Sequence, residues 1–381
     1  MPQISPVVQT VPASGIRRIF ELAAGMDDVV QLSVGEPELP VARPILEAGA
    51  QAWQQDLTRY TPNSGISALR SALASKLLRD NGYRVDADQV HVTAGGAQAL
   101  HTALTFTLSP GDEVLVPDPG YTTFTMASRL IGAVPVPYPL DAAQGFAPDL
   151  AVLESLITPR TRVLLVNSPS NPLGVVFSRR TAQMLLDLAV RHDLWVISDE
   201  VYEYLTFDTP FISLSSLENA GDRVFGVYSL SKTYALTGAR VGYLVTPPGL
   251  SERFRAVQES IVSCVNTPAQ YAALAAVTGD QQDVARAREH YRANLEVACS
   301  VLEARGLRYQ RPAGAFYLWI DVSHVSEGDV STWAEKFLLS ERVAVAPGSA
   351  FGTQGEGWVR ICFAGDTEPL ATGLGRFPAP A

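Results

Sequence analysis

The chain has little of what staples, anchors or charges a protein toward a polyanion. Its three cysteines, Cys264, Cys299 and Cys362, show no C-x-x-C spacing and cannot all pair among themselves. That points to a reducing compartment and away from a disulfide framework or a structural zinc site. Basic residues are outnumbered, 29 Lys plus Arg against 39 Asp plus Glu, for a formal charge of −10. The longest basic blocks are the pairs Arg17-Arg18 and Arg179-Arg180, so nucleic acid and anionic membranes are poor partners. No apolar run reaches the ~18 residues of a spanning helix. The opening MPQISPVVQTVPAS lacks a basic region followed by an apolar core, so no signal peptide is expected. Repeats and low-complexity linkers are also missing. The expectation is a cytoplasmic globular protein without metal.

What is present is core-forming material and a regular alternation. The 381 residues are 47% apolar, enough for two or more domains at roughly 150 residues each. Short apolar runs read as strands: QVHVTAGG, EVLVPDPG, VPVPYPL, RVLLVNSP, LWVISDE, RVFGVYSL and RVGYLVTP. Between them lie segments with helical spacing such as AQALHTALTFTL and RRTAQMLLDLAVRHD. Strands alternating with helices imply an α/β fold with a mostly parallel sheet covered on both faces. After Gly279 the pattern changes to a long helix, DVARAREHYRANLEVACSVLEARG, then FYLWIDV, a helix near TWAEKFLL, and strands VAVAP and WVRICFA. That change predicts a smaller α+β domain, joined by the N-terminal segment.

The ends of the strands carry the chemistry. Residues 229 to 242, SLSKTYALTGARVG, set one lysine among small hydroxylated residues, with an arginine eight positions on. In α/β proteins binding sites lie at such strand ends. Asp199 ends the run LWVIS, where an unpaired buried carboxylate would cost several kcal/mol and therefore calls for a cationic or proton-donating partner. Tyr202 follows three residues later. Gly95-Gly96-Ala97 opens a helix directly after a strand, where unpaired backbone N–H groups favour an anion. Asn171 and Pro172 are read as ending another strand in NSPSNPLG. Singly, each feature has a plainer reading: a tight turn, a helix cap, a solvated lysine.

Together, from SGIRRIFELA and SVGEPELP through YTPNSGISALR, VTAGGAQAL, VPDPGY, NSPSNPLG, SDEVYEYL and SLSKTYALTGARVGY to PAGAFYLWIDV and WVRICFA, the motifs resemble those of the class I/II aminotransferases. These are the aspartate-aminotransferase-like, fold type I enzymes that use pyridoxal 5'-phosphate. The resemblance implies a large domain with a mostly parallel seven-stranded sheet over 45–280, a small domain over 281–381, and an N-terminal segment, 1–44, packed with the small domain. It implies that Lys232 bonds covalently to the cofactor aldehyde and then serves as general acid/base. Ser229, Ser231 and Arg240 would hold the phosphate, joined by Gly95, Gly96 and Ala97 at the helix start. Tyr60 would reach the phosphate of a neighbouring subunit's cofactor, which implies a homodimer with shared sites. Asp199 would keep the pyridine nitrogen protonated, Asn171 and Tyr202 would bond the phenolic oxygen, and Tyr121 would stack on the ring. Arg360 would grip the substrate α-carboxylate, with Gly35 and Asn171 lining the same end.

Departures from the family narrow the substrate. Ala97 stands where aspartate-specific relatives carry lysine, and VQESIVSCVNTPAQ contains no arginine for a distal carboxylate. Neutral, aromatic or aliphatic donors are therefore expected to match or exceed aspartate, with 2-oxoglutarate accepted through backbone, water or N-terminal contacts such as those near Arg17 and Arg18. The glycines and prolines of TEPLATGLGRFPAPA predict a short or frayed C-terminus. A β-eliminating lyase would need the same lysine, aspartate and arginine, and an effector-binding regulator could keep the fold without turnover. The intact lysine and the negative charge argue against the regulator.

Overall fold

A computed structural model describes residues 2–380. Its largest sheet has seven strands in the order Val90–Thr93, Gly242–Val245, Val224–Ser229, Trp195–Asp199, Thr161–Asn167, Glu113–Asp118 and Val134–Pro139. All neighbours pair in parallel except Gly242–Val245, which is antiparallel on both sides. Glu113–Asp118 is buried throughout, and Thr161–Asn167 and Trp195–Asp199 are buried except at Arg162 and Trp195, as near-continuous apolar runs require when helices cover both faces.

Strand alternation sorts the core into two layers. Leu115, Leu164, Val166 and Val196 face the helix Arg179–Arg191 through Leu185, Leu186 and Leu188. Val114, Val116, Val163, Leu165 and Ile197 face the helix Gly96–Thr107 through Leu100 and Leu104. Val134–Pro139, with three prolines, lies at the sheet edge and is partly exposed, the place where a missing N–H donor is tolerated.

A second sheet is antiparallel, in the order Ala346–Pro347, Trp358–Cys362, Tyr317–Asp321, Tyr309–Gln310. The helix Gln282–Ala304 buries Tyr291, Leu295, Ala298 and Leu302 in the core that this sheet shares. Residues from the chain start enter that core as well. Ile19 and Ala23 of the helix Gly15–Ala24 and the nearby Leu32 belong to it, and Val30–Gln31 pairs in parallel with Val343–Ala344. Among the described residues no helix is long and apolar enough to cross a membrane, and all three cysteines are unpaired.

Two sequence expectations need correction. The strand before NSPSNPLG ends at Asn167, and Asn171 sits four residues beyond it in a turn. The C-terminus is short, a helix over Thr367–Gly375, but it is not frayed. Leu370, Leu374 and Phe377 are buried, with the Phe377 ring 5.0 Å from Phe337 and 6.2 Å from Trp333. Glycines lowered its helix propensity, and aromatic packing outweighed that loss. Phe377→Ala should therefore destabilise the protein by about 3–5 kcal/mol, a loss measurable by urea denaturation.

Candidate functional site

The carboxyl ends of the parallel strands open into a cavity of about 630 Å³. Its walls include Gly35, Gly96, Ala97, Tyr121, Asn171, Asp199, Tyr202, Ser229, Ser231, Lys232, Arg240 and Arg360. Two expected residues do not line it. Gly95 lies one position outside, against Arg240, and Tyr60 is 89% exposed on the surface of its own chain. Tyr317 and Asn167 line the cavity and were missed in the sequence. Both sit in apolar or turn-like strings, FYLWIDV and LVNSP, where a polar side chain carries no distinctive spacing.

One end of the cavity is a cradle for an anion. The helix Gly96–Thr107 begins there, and the first N–H groups of a helix have no partners within it. Gly95 holds a left-handed φ of 83°, and a Cβ on it would strike the Arg240 guanidinium. Arg240 is oriented by a 2.8 Å bond from its Nη1 to the Thr237 carbonyl. Ser229 caps the short helix Leu230–Thr233, its hydroxyl accepting from the Ser231 N–H at 3.2 Å. Hydroxyls, helix N–H groups and a guanidinium meet within one concavity, and that donor set suits a phosphate dianion.

Lys232 and Asp199 supply two charges that burial resists. Lys232 Nζ donates to the Gly35 carbonyl at 2.7 Å. Burial pulls its ammonium down to about 8, with Arg360 and Arg240 adding to the effect and Cys362 and Glu36 opposing it. Asp199 has the opposite displacement. Burial pushes its carboxyl up to about 7, Glu200 adds to the rise, and the Val201 N–H, 3.3 Å from Oδ1, and Lys232 resist it. A carboxyl this reluctant to ionise favours a cationic neighbour, and a pyridinium nitrogen is one.

Arg360 is anchored from several directions and is 3% exposed. Its Nη1 donates to Asn171 Oδ1 at 3.0 Å, Nη2 donates to the Ser33 carbonyl, and its Nε has no partner. The guanidinium carbon lies 4.3 Å from the Tyr317 ring centroid and 5.0 Å from that of Phe351. Among the described residues no carboxylate neutralises it within ion-pair distance. A desolvated guanidinium with an unused N–H is a receptor for a carboxylate. Tyr317 and Tyr202 share a 2.7 Å hydroxyl bond, and a Cβ at Gly35 would overlap the Tyr317 phenol. Of the two N-terminal arginines only Arg17 lines the cavity. Arg18 is paired with Glu335, which corrects the expectation that both serve the site.

The comparisons with known proteins agree with this geometry. The family description "Aminotransferase class I and II" matches residues 27–377. The chain is 35% identical to aromatic-amino-acid aminotransferase 2 of Thermococcus litoralis, over 98% of this chain and 97% of the relative. It is also 35% identical to the aspartate aminotransferase of Pyrococcus abyssi, over the same shares. Among solved structures, Thermus thermophilus aspartate aminotransferase with maleate superposes with a TM-score of 0.93 at 36% identity, covering 99% of both chains.

Displacement of the two titrations gives a stability test on cofactor-free protein. Because Asp199 titrates higher in the fold than its ordinary 3.8, its stability contribution is full below that value and is lost as pH rises toward about 7. Asp199→Asn should therefore melt above the parent at pH 8, with the gain shrinking as pH falls toward 4, as read by calorimetry across that range.

Proposed function

The chain belongs to the class I and II aminotransferases, pyridoxal-phosphate-dependent enzymes, and from that premise we propose that it moves the amino group of neutral, aromatic or aliphatic L-amino acids to 2-oxoglutarate. The observation that carries this reading is the placement of the cavity's cations. Among the described residues these are Arg17, Lys232, Arg240 and Arg360. Arg240 belongs to the phosphate cradle, Lys232 to the covalent and proton-transfer steps, and Arg360 to the α-carboxylate. Ala97, Ile16, Phe20, Leu100 and Met126 offer a distal group apolar surface, and a carboxylate there without a cation would lose much of its hydration. Arg17 alone is left for the distal carboxylate of 2-oxoglutarate. It lies on the N-terminal helix, beside the Phe20 ring and 3.1 Å from Glu21 Oε1.

When bound, the cofactor supplies an aldehyde that captures the amine and a ring that accepts electrons as the Cα–H bond breaks. Gly96, Ala97, Ser229, Ser231 and Arg240 would hold its phosphate. Tyr121 would cover the ring face, and Asn171 and Tyr202 would serve the phenolic oxygen. Asp199 would keep the ring nitrogen protonated. Arg360 fixes the substrate carboxylate, so the amino group and Cα come to Lys232 in a set orientation. Lys232, with its amine already eased toward the neutral form by burial, would take the proton from Cα and carry it as an ammonium. Tyr60, on the outer surface, would complete the phosphate site of a second subunit in a homodimer.

Borohydride reduction of the loaded protein followed by peptide mapping should label Lys232, and Lys232→Ala should lose transamination by orders of magnitude. A label on another lysine contradicts the assignment. In a donor panel followed by the cofactor's absorbance, neutral amino acids should match or exceed aspartate in kcat/KM. Arg17→Ala should raise KM for 2-oxoglutarate about tenfold while sparing a neutral 2-oxo acid. Aspartate and glutamate ahead of every neutral donor by about a hundredfold would refute the substrate reading.

A further inference from the structure

The turn after Asp199 shows two faces. Asp199 and Tyr202 look into the cavity, whereas Glu200 and Glu203 look away from it into buried protein. The two outward carboxylates are held differently. Glu203 is paired with Lys76 Nζ at 2.5 Å and accepts from Asn81 Nδ2 at 2.6 Å, so its charge is cancelled on the spot. Glu200 is fully buried, and among the described residues no cation lies within ion-pair distance of it. Its Oε1 accepts from Ser198 Oγ at 2.9 Å, Ser213 Oγ at 3.0 Å and the Leu214 N–H at 3.0 Å. Its Oε2 accepts from the Tyr228 hydroxyl at 2.7 Å, and Tyr83 Oη lies 2.8 Å beyond on Tyr228.

Four neutral donors thus converge on the carboxylate, three on Oε1 and one on Oε2, an arrangement that suits its ionised form. The groups facing it are Tyr228 from its strand, Tyr83 from the loop before Val90, and the carboxylates of Asp199 and Glu203 on its own turn. Lys76 is committed to Glu203. The backbone of the same residue is tied as well: the Glu200 N–H donates to the Val227 carbonyl at 2.9 Å, and its carbonyl accepts from Glu203 at 3.0 Å.

We propose that Glu200 is a positioning residue for the reaction: clamped from beneath, it fixes the turn that aims Asp199 into the cavity and sets a second negative charge behind that carboxylate, so that the site favours a cationic ring nitrogen. The inference rests on the cofactor reading above and extends it to a residue that touches neither cofactor nor substrate. Burial pushes the Glu200 carboxyl up to about 7, with Glu203 adding to the rise, and the donors from Tyr228, Ser213 and Ser198 keep the rise from going further.

Pyridoxine 5'-phosphate, which has no aldehyde and cannot bond to Lys232, serves as the probe. Its ring-nitrogen titration, read by ultraviolet absorbance on the full-length cofactor-free protein, reports the charge behind Asp199. In Glu200→Gln the bound ring should lose its proton at a pH lower by at least about half a unit. The loaded variant should lose about tenfold or more in kcat with KM changed less than threefold. Glu200→Asp keeps the charge and should stay closer to the parent in the ring titration. Should Glu200→Gln fail to fold, Tyr228→Phe removes a donor from the carboxylate and should shift the titration the same way by less. An unshifted ring titration, with or without a lower melting temperature, overturns this inference alone. Failure of the parent protein to bind the probe overturns the cofactor reading with it.

Discussion

The constraint on which the structure depends is the cost of keeping charge away from water. Asp199, Glu200, Lys76 and Arg360 are each nearly or fully buried, where a lone charge costs several kcal/mol. The fold meets that cost in three ways. Lys76 and Glu203 cancel one another across a 2.5 Å contact. Glu200 is surrounded by neutral donors. Arg360 and Asp199 face the cavity, and among the described residues no opposite charge lies within ion-pair distance of either. A site built on this last arrangement can draw binding strength from charge that the protein leaves unmatched.

The elements that deliver these groups follow from ordinary sheet physics. Parallel strands end together on one side, and Asn167, Asp199 and Ser229 close three adjacent strands there. The antiparallel strand Gly242–Val245 enters the sheet immediately after Arg240, which places that arginine beside Gly95 and the start of the helix Gly96–Thr107. The second sheet contributes Arg360 and Tyr317 from adjacent strands, so both reach the cavity from across the molecule.

Legibility in the sequence followed the strength of the local signal. Each of the seven apolar runs named from the sequence became a strand of the large sheet, because a short apolar run bounded by turn residues is a local signal, whether the strand is central or, like Val134–Pro139, at the edge. Lys232, Asp199 and Arg240 stood out because charged residues directly beside apolar runs are costly and rare. Tyr317 was hidden inside FYLWIDV, where its hydroxyl matters only through Tyr202, 115 positions away. Arg18 and Arg17 could not be separated, since which of two adjacent helix residues, set about 100° apart, faces the cavity is decided only by how the helix docks. The C-terminal helix was underestimated for a related reason: glycine content is visible locally, whereas the aromatic seat of Phe377 between Trp333 and Phe337 is not.

The contact between Arg360 and the Ser33 carbonyl joins residues 327 positions apart, and Arg18 meets Glu335 across 317. The wall that holds Ser14, Ile16, Arg17 and Phe20 against the cavity therefore depends on segments that the ribosome makes long after the large sheet. Such non-local closures come late in folding, after the entropic cost of the intervening loop has been met. During synthesis the seven strands of the large sheet, Lys232 and Arg240 all precede Arg360 in the chain, so the wall around Ser33 can close only after the large sheet's sequence is complete.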